Sequence, residues 1–212
     1  MIKILFICHG NICRSPMAEF IMKDLVEKEN LETEFYIESA ATSTEEIGNG
    51  IYPQAREQLI KHNIGGYKGK TARQVRKSDY DEFDYLIIMD EENRCGLRRI
   101  VGEDVDNKIY KMLDFVEDKN LKGNDVDDPW YTREFALGFD EIVKGCEGLL
   151  DFLKKQFVGA MHCEPRSWQE WQKVGINVKK LAIMQKSWQK CQKVDKNVKK
   201  LTFLPTFYII RL

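Results

Sequence analysis

The stretch IKILFIC at residues 2–8, followed at once by HGNICRSP at residues 9–16, decides the fold of this chain of 212 residues. The first stretch is an apolar run broken by one lysine, which predicts a strand buried on both faces, as in a parallel sheet. Gly10 permits a tight turn. Ser15 and Pro16 predict a helix start, with the serine as N-cap and the proline in the first helical position.

Strands and helices then alternate through residue 155. Apolar runs predict three more strands, at 35–41, 85–89 and 108–113. Helical spacing and helix-start signals predict helices at 17–25, 53–59, 71–78, 91–100 and 134–155. This alternation predicts an α/β fold with a parallel sheet flanked by helices. Ligands of such sheets bind where strands end and helices begin, and residues 8–14 are the first such place.

Charge divides the chain into two parts. Residues 157–212 carry eleven Lys or Arg and three Asp or Glu, a balance of +8. Because the whole chain carries −1, residues 1–156 carry −9. We predict a compact domain at 1–156 and a basic tail at 157–212. The tail repeats itself, since 167–181 and 187–201 match at eleven of fifteen positions. Two copies are too few for a self-supporting repeat array, so the tail is either an interaction arm or an appended segment without an evolved role.

The location and redox state of the protein also follow from composition. The start of the chain has no signal-peptide cleavage site, and no apolar run approaches the ~18 residues of a membrane span. We therefore expect a cytoplasmic protein, and its near-zero net charge gives no reason to expect nucleic-acid binding. Its six cysteines then favour thiol chemistry over disulfides. Cys95 and Cys146 are predicted to be packing residues. No zinc-ligand spacing is present, and we expect neither metal nor cofactor.

The loop after the first strand has the pattern Cys8, five residues, Arg14, Ser15. A loop that enters a helix N-terminus presents converging N–H groups and a positive dipole, which suit a phosphate dianion. Arg14 can bind two of the phosphate oxygens with parallel N–H bonds. The same field favours the thiolate of Cys8, which predicts a nucleophile at the base of an anion-binding loop. The residues between are His9, Gly10, Asn11, Ile12 and Cys13.

A second acidic stretch, at residues 125–131, ends in Asp127-Asp128-Pro129-Trp130-Tyr131. A carboxylic acid here could protonate the leaving oxygen of a phosphate ester and later accept a proton from water. Asp-Asp-Pro is also a common helix start, so the pattern alone leaves both interpretations open.

Six motifs, in order along residues 1–156, resemble those of the low-molecular-weight protein tyrosine phosphatases. They are CHGNICRSP at 8–16, ESAATS at 38–43, EIGN at 46–49, TARQV at 71–75, FDYLIIMDEEN at 83–93 and DDPW at 127–130. The resemblance implies a four-stranded parallel sheet between helices, a three-layer α/β/α fold. It also implies metal-independent hydrolysis of phosphotyrosine in proteins, or of small aryl phosphates, through a phosphocysteine intermediate. The tail lies outside the resemblance.

The resemblance also assigns roles to particular residues. Cys8 is implied to be the nucleophile, Arg14 the phosphate-binding arginine and Asp128 the general acid. Asn11 is implied to hold the loop in a strained conformation through Ser15 and Ser39.

Further positions belong to the substrate pocket and to redox chemistry. Ser15 is also implied to stabilise the thiolate. Trp130 and Tyr131 match positions that form the aromatic walls of the pocket, and Cys13 matches a cysteine that forms a reversible disulfide with Cys8. His9 departs from the family, which often has an apolar residue there. It is expected to form part of the pocket wall, to interact with the thiolate, or to have no catalytic role.

Four alternatives remain open. A protein arginine phosphatase would share the loop. An arsenate reductase on this fold would need further redox cysteines, yet 81–89 contains none and Cys95 stands alone. A phosphocysteine carrier would have no use for an acid at Asp128. A phosphate- or partner-binding protein without turnover would use the loop, and the basic tail, for binding only.

Overall fold

The computed structural model describes the backbone of residues 1–162 and the side chains of residues 1–156. Its described part contains one sheet of four parallel strands in the order β2-β1-β3-β4. The strands are β1 (Ile2–Cys8), β2 (Phe35–Ala41), β3 (Tyr85–Ile88) and β4 (Ile109–Lys111). The helices are α1 (Arg14–Lys28), α2 (Pro53–Lys61), α3 (Lys77–Glu82), α4 (Glu91–Val101), α5 (Pro129–Thr132) and α6 (Phe135–His162). The predicted α/β fold with a four-stranded parallel sheet is confirmed.

The chain divides into two compact units, Met1–Leu153 and Lys154–Leu212. The sheet lies in the first. The predicted boundary after residue 156 stays a prediction, and the predicted repeat in the basic tail lies outside the described residues. In the described part of the chain, no helix combines the length and the apolar character that crossing a membrane requires.

β1 is the central element, because it pairs with β2 on one side and β3 on the other. Its residues Ile4 to Ile7 are completely buried, as expected for a strand covered on both faces. Leu5 and Ile7 belong to a core cluster with Leu86 and Ile88 of β3 and Leu97 of α4. Cys8 lies opposite Ala41 and Ile7 opposite Ile88. The loops that follow β1, β2 and β3 therefore start side by side at one edge of the sheet.

The start of α1 differs from the prediction. The helix begins at Arg14 with Cys13 as N-cap, and no side chain caps it. Ser15 lies inside the helix, where its hydroxyl contacts Cys8 and Asn11 and is not available as a cap. Pro16 is the third helical residue, where its missing N–H costs little because the first N–H groups of a helix have no partner within the helix.

The predicted helix at 71–78 was wrong over most of its length, since α3 begins only at Lys77. The segment before it runs beside the end of β2, where Ala41 pairs in parallel with Gln74. The Ala41 N–H donates to the Arg73 carbonyl at 2.7 Å, and the Val75 N–H donates to the Ala41 carbonyl at 2.9 Å. These residues hydrogen-bond to the sheet edge, so no local helix is needed to satisfy their backbone.

The fourth strand is shorter than the predicted 108–113. It ends at Lys111, because Met112–Phe115 form a turn of 3-10 helix. The Asp114 carboxylate closes that turn by accepting from the Lys111 N–H at 2.7 Å.

The two packing predictions for cysteines have different outcomes. Cys146 on α6 is completely buried, as predicted. Cys95 is exposed, so that prediction was wrong. The buried residues of α4 are Asn93, Leu97 and Val101, spaced by four. Cys95 lies between the first two of these, about half a turn away from the buried face.

Helix α6 packs closely against the turn after β4, and this contact leads to a prediction about stability. A Cβ at Gly148 would overlap the Phe115 carbonyl oxygen and lie 2.8 Å from its carbon. Because these are backbone atoms, they cannot rotate away. We expect Gly148→Ala to lower the free energy of unfolding by about 1–3 kcal/mol, although alanine is favoured over glycine in helices by about 1 kcal/mol.

Urea denaturation measures this effect. Gly65→Ala is the control, since a Cβ there meets nothing within 4 Å. Equal unfolding midpoints for the two variants would contradict the predicted clash.

Candidate active site

Residues 8–14 form a loop that carries the chain from the end of β1 into α1. Cys8 is 3% exposed, with its sulfur at the centre of the loop. The Asn11 N–H donates to Cys8 Sγ at 3.3 Å, and Ser15 Oγ lies 3.1 Å from the same atom. The α1 N-terminus adds positive potential. An amide, a hydroxyl and a helix terminus thus converge on one sulfur.

Asn11 is a non-glycine residue in the left-handed region, with φ of 57°, where asparagine is tolerated better than most residues. Its Nδ2 donates to Ser15 Oγ and to Ser39 Oγ, both at 2.8 Å. Its Oδ1 accepts from the Arg73 N–H at 3.2 Å. Three hydrogen bonds therefore hold this buried side chain and keep the loop in its conformation.

Arg14 is buried, with 3% of its surface exposed, and lies between two carboxylates. Its Nη1 donates to Asp90 Oδ2 at 2.7 Å and to the Val126 carbonyl at 3.3 Å, and its Nη2 donates to Asp128 Oδ2 at 2.5 Å. Burial disfavours the guanidinium charge, but Cys8, Asp128 and Asp90 outweigh it and raise the pKa of Arg14 above its ordinary value. The arginine therefore stays charged beside the sulfur.

Asp128 caps a helix and also lines the cavity. Its Oδ1 caps α5 by accepting from the Trp130 N–H at 3.0 Å, with Pro129 as the first helical residue. Its Oδ2 meets Arg14, and a quarter of its side chain is exposed. The cap fixes the carboxylate at the wall of the cavity, where a substrate can reach it.

A cavity of about 190 Å³ opens above the sulfur. Its lining includes most of the residues predicted from the loop and from the acidic stretch, together with three glutamates that were not predicted. The lining residues are Cys8, His9, Gly10, Ile12, Cys13, Arg14, Glu45, Glu46, Glu92, Asp128, Trp130 and Tyr131. The structure thus brings together side chains 120 residues apart in sequence. Asn11, Ser15 and Ser39 support this cavity from behind, through the hydrogen bonds described above.

Aromatic rings form one side of the cavity. Trp130 and Tyr131 are 44% and 79% exposed, as walls open to a ligand would be. Tyr52 supports Trp130 edge-on at 5.5 Å between ring centroids, and it stacks on Phe135 at 5.7 Å. The Tyr52 N–H also donates to the Ile12 carbonyl at 2.8 Å. Tyr52 was not predicted, although a tyrosine directly before a helix-starting proline was visible in the sequence.

His9 and Cys13 occupy different environments in the lining. The His9 side chain is 58% exposed, and its Nε2 lies 3.1 Å from Glu45 Oε2. Its hydrogen bond therefore goes to the rim of the cavity. Cys13 is buried, and burial, with the neighbouring Cys8 second, raises its pKa. Cys8 and Cys13 are both free thiols in this structure.

Asp90 is the most informative residue that sequence reasoning missed. It caps α4 through Oδ1, which accepts from the Asn93 N–H at 2.6 Å, while Oδ2 holds Arg14. The available signal was an aspartate between a buried strand and a charged helix, which is a standard N-cap position.

In the described residues, no three His, Cys, Asp or Glu side chains form a group that could hold a metal ion.

Comparison with known proteins supplies the family. The protein-family model for the low molecular weight phosphotyrosine protein phosphatases matches residues 3–159 of this chain. The low molecular weight protein-tyrosine-phosphatase YfkJ of Bacillus subtilis is 44% identical over 156 residues, which cover 74% of this chain and 98% of that protein. The low molecular weight phosphotyrosine protein phosphatase of Gallus gallus is 39% identical over 153 residues, 70% of this chain and 94% of that one.

Solved structures agree with the sequence comparison. The crystal structure of YfkJ superimposes with a TM-score of 0.70 and covers 74% of this chain and 96% of its own. A structure of a Drosophila arginine phosphatase, DARP, is 28% identical with a TM-score of 0.64, covering 72% of this chain and 98% of its own. The residues after 159 lie outside the family match. The chain therefore belongs to the low-molecular-weight phosphotyrosine protein phosphatase family, whose members are cysteine-dependent phosphatases.

Proposed function

We propose that this protein tyrosine phosphatase hydrolyses phosphotyrosine through a phosphocysteine intermediate, with Cys8 as nucleophile, Arg14 as phosphate ligand and Asp128 as general acid. The observation that carries the proposal is the position of the Cys8 sulfur. It accepts a hydrogen bond from the Asn11 N–H on a cavity whose wall carries a carboxylate held by Arg14. Nucleophile, cation and acid thus surround one volume.

In the first step, Cys8 Sγ attacks phosphorus in line with the ester bond. The S–P bond forms, the P–O bond breaks, and the proton of Asp128 passes to the leaving phenolate oxygen. Arg14 and the loop N–H groups stabilise the equatorial oxygens, where negative charge is concentrated. Asp90 keeps its hold on Arg14 Nη1, so the guanidinium stays in position when Nη2 exchanges Asp128 for phosphate.

In the second step, water attacks the phosphocysteine. The Asp128 carboxylate takes a proton from that water, the S–P bond breaks, and Cys8 leaves as the thiolate with release of inorganic phosphate. The hydrogen bonds from the Asn11 N–H and from Ser15 favour that leaving group. The same groups therefore support attack in one step and departure in the other.

Acidic side chains on the cavity lining support a proposal about the substrate sequence. Glu45, Glu46 and Glu92 lie on the lining, and the cations among the lining residues are Arg14 and, when protonated, His9. We propose that the enzyme prefers phosphotyrosine flanked by lysine or arginine. Phosphoarginine, whose guanidinium is cationic, is the second candidate that the acidic mouth favours, and the similarity to DARP is consistent with it.

Two of the alternatives, the arsenate reductase and the phosphocysteine carrier, have less support. The proposed chemistry also bears on the location of the protein. An arsenate reductase would need redox cysteines beyond Cys8, but among the described residues only Cys13 joins it on the cavity, and Cys95 is exposed on α4. A carrier without hydrolysis has no use for an acid, whereas Asp128 places a partly exposed carboxylate on the cavity lining. Because the reaction requires a reduced Cys8, we place the enzyme in a reducing compartment, the cytoplasm.

Replacing the nucleophile and the acid tests the mechanism. We expect Cys8→Ser to abolish turnover of p-nitrophenyl phosphate. We expect Asp128→Asn, which keeps an oxygen to cap α5 but has no proton to donate, to slow phenyl phosphate by about 10²–10⁴. It should slow p-nitrophenyl phosphate much less, because p-nitrophenolate leaves without protonation. Steady-state kcat/KM for the two esters measures the difference.

Asp127→Asn is the matched control, since the Asp127 carboxylate accepts from Thr132 Oγ1 at 2.6 Å and does not contact Arg14. It should leave the ratio of the two esters unchanged. Equal slowing of both esters in Asp128→Asn would remove the acid role from Asp128.

Peptide substrates test the acidic mouth. We expect higher kcat/KM for a phosphotyrosine peptide with flanking lysines than for one with flanking glutamates, by roughly 1.5- to 5-fold per favourable charge pair. The preference should shrink as salt rises, because exposed charges are screened. Glu92→Gln should reduce it. A phosphoarginine peptide of the same sequence shows which phosphorylated residue the enzyme prefers.

Glu91→Gln is the control for Glu92→Gln, because Glu91 lies outside the cavity lining and bonds to Arg94 at 3.0 Å. If basic and acidic peptides react equally at low salt, the proposed preference is wrong, while the phosphatase mechanism stands.

A further inference from the structure

We propose that Asn49 and Gly50 form a site of spontaneous deamidation, where the Asn49 side chain becomes aspartate or isoaspartate and adds a negative charge beside the catalytic cavity. The modification itself does not depend on the proposed function. Its effect on the choice of substrate rests on the proposed preference for peptides with basic flanking residues.

Asn49 and Gly50 are the one Asn-Gly pair in the chain, and deamidation at such a pair needs no enzyme. The glycine nitrogen attacks Cγ of the asparagine side chain, a C–N bond forms, and the side-chain nitrogen leaves as ammonia. The succinimide ring then takes up one water and opens at either of its carbonyl groups, which gives aspartate or isoaspartate. Glycine favours the attack because no Cβ shields its nitrogen.

The fold leaves this pair open to the reaction. Both residues are exposed, and they lie between β2 and α2, outside the helices and strands. None of the hydrogen bonds within the described part of the chain uses the Gly50 N–H. The Asn49 side chain is held by a single exposed hydrogen bond, from Nδ2 to Glu46 Oε2 at 2.7 Å. Once that bond opens, the side chain is free to turn toward the Gly50 nitrogen.

The backbone on either side of the pair is anchored. The Asn49 carbonyl accepts from the Ala72 N–H at 2.8 Å, and the Tyr52 N–H donates to the Ile12 carbonyl of the catalytic loop at 2.8 Å. An aspartate leaves the backbone path between these anchors unchanged, whereas an isoaspartate inserts one more backbone carbon into it. Either product is therefore formed within a segment that is attached to the active site.

The new charge would lie next to a residue of the cavity lining. Glu46 lines the cavity together with Glu45 and Glu92, and a Cβ at Gly10 of the catalytic loop would lie 3.1 Å from Glu46 Cγ. The neutral amide of Asn49 now donates to Glu46. In the aspartate an oxygen replaces that donor nitrogen, so two carboxylates that cannot hydrogen-bond face each other and repel. Deamidation thus adds a further carboxylate beside the three lining glutamates.

A stronger negative potential favours substrates with positive flanking residues. We expect deamidation to increase the preference for lysine-flanked over glutamate-flanked phosphotyrosine peptides by roughly 1.5- to 5-fold. The increase should shrink as salt rises, because the charges are exposed. Since the reaction does not reverse, the modified fraction grows with the age of the protein, and the choice of substrate changes with it.

Mass spectrometry of the folded protein tests the modification without any substrate. The protein is kept at mildly alkaline pH, which speeds the reaction because the Gly50 nitrogen attacks after it loses its proton. Trypsin then releases residues 29–56, a peptide that holds Asn49 and also Asn30, an exposed asparagine followed by leucine. We expect the mass gain of NH₂ replaced by OH to accumulate at Asn49, with Asn30 as the internal control.

Gly50→Ala is the matched variant, because a Cβ at Gly50 meets only the Lys70 carbonyl oxygen, at 3.9 Å. It should fold normally and lose the mass gain at Asn49. A second sample of wild type is incubated in urea. A gain at Asn49 in urea but none in the folded protein would overturn the proposal, by showing that the fold protects the pair. Equal gains at Asn30 and Asn49, or an unchanged rate in Gly50→Ala, would overturn it too.

Peptide kinetics test the effect on the cavity. Asn49→Asp introduces the charge directly, and Asn49→Gln is the neutral control, because its longer side chain closes a ring far less readily. We expect Asn49→Asp and aged wild type to favour the lysine-flanked peptide more strongly than fresh wild type and Asn49→Gln, measured as the ratio of kcat/KM. Equal ratios in Asn49→Asp and Asn49→Gln would overturn the proposed effect. Equal reaction of the two peptides in fresh wild type, with the ratio still shifted in Asn49→Asp, would contradict only the preference proposed above.

Discussion

The side-chain amide of Asn11 is the contact on which the site depends. Through three hydrogen bonds it joins the loop after β1 to α1 at Ser15, to β2 at Ser39 and to the segment before α3 at Arg73. It does so from a left-handed backbone conformation that few residues tolerate. That conformation directs the Asn11 N–H at the Cys8 sulfur. The curvature of the loop and the donors around the thiol are thus consequences of one buried amide.

The second constraint is electrostatic, and it concerns the burial of Arg14. A guanidinium that is 3% exposed needs anionic partners. Asp90 and Asp128 supply them from two different helix caps, those of α4 and α5. The two partners differ in accessibility, with 15% of the Asp90 side chain and 25% of Asp128 exposed. The less accessible carboxylate suits a permanent anchor, whereas the more accessible one suits a group that yields its place to phosphate.

Sequence reasoning succeeded where a local pattern carries the whole signal. The buried run at β1 predicted the central strand, and the Cys8 to Arg14 spacing located the loop. The Asp-Asp-Pro pattern was compatible with a helix start and with an acid, and the structure shows the helix start, with Asp128 as N-cap of α5. Reasoning failed where tertiary contacts decide the outcome. Ser15 has the residue type of an N-cap, but its hydroxyl is used by the sulfur, and residues 71–76 hydrogen-bond to β2 and form no helix.

The residues that were missed share one property, which is that their partners are distant in sequence. Glu19 contacts residues 20 and 51 positions away, at Ser39 and Lys70, and nothing local marks it as more than one charge on a helix. The wrong prediction for Cys95 has a different cause. A charged helix with few apolar residues gives only a weak indication of which face is buried. The loop and its support by Asn11 could be predicted from short motifs and the resemblance, whereas the contacts of Glu19 could not.

The fold explains why such distant residues meet. In a parallel sheet every strand delivers its following loop to the same edge, so β1 brings Cys8, β2 leads to the loop with Glu45 and Glu46, and β3 leads to Asp90. The cavity lining is cationic at the buried Arg14, which we call its floor, and acidic at the more exposed Glu45, Glu46 and Glu92, which we call its mouth. A phosphate group gains from the floor only at contact distance, where hydrogen bonds are made. Charged residues that flank the phosphorylated residue of a peptide, by contrast, interact with the acidic mouth over the screening length of about 8–10 Å. In the proposed function, capture of the phosphate and choice of the peptide that carries it therefore belong to different residues, and each can change without the other.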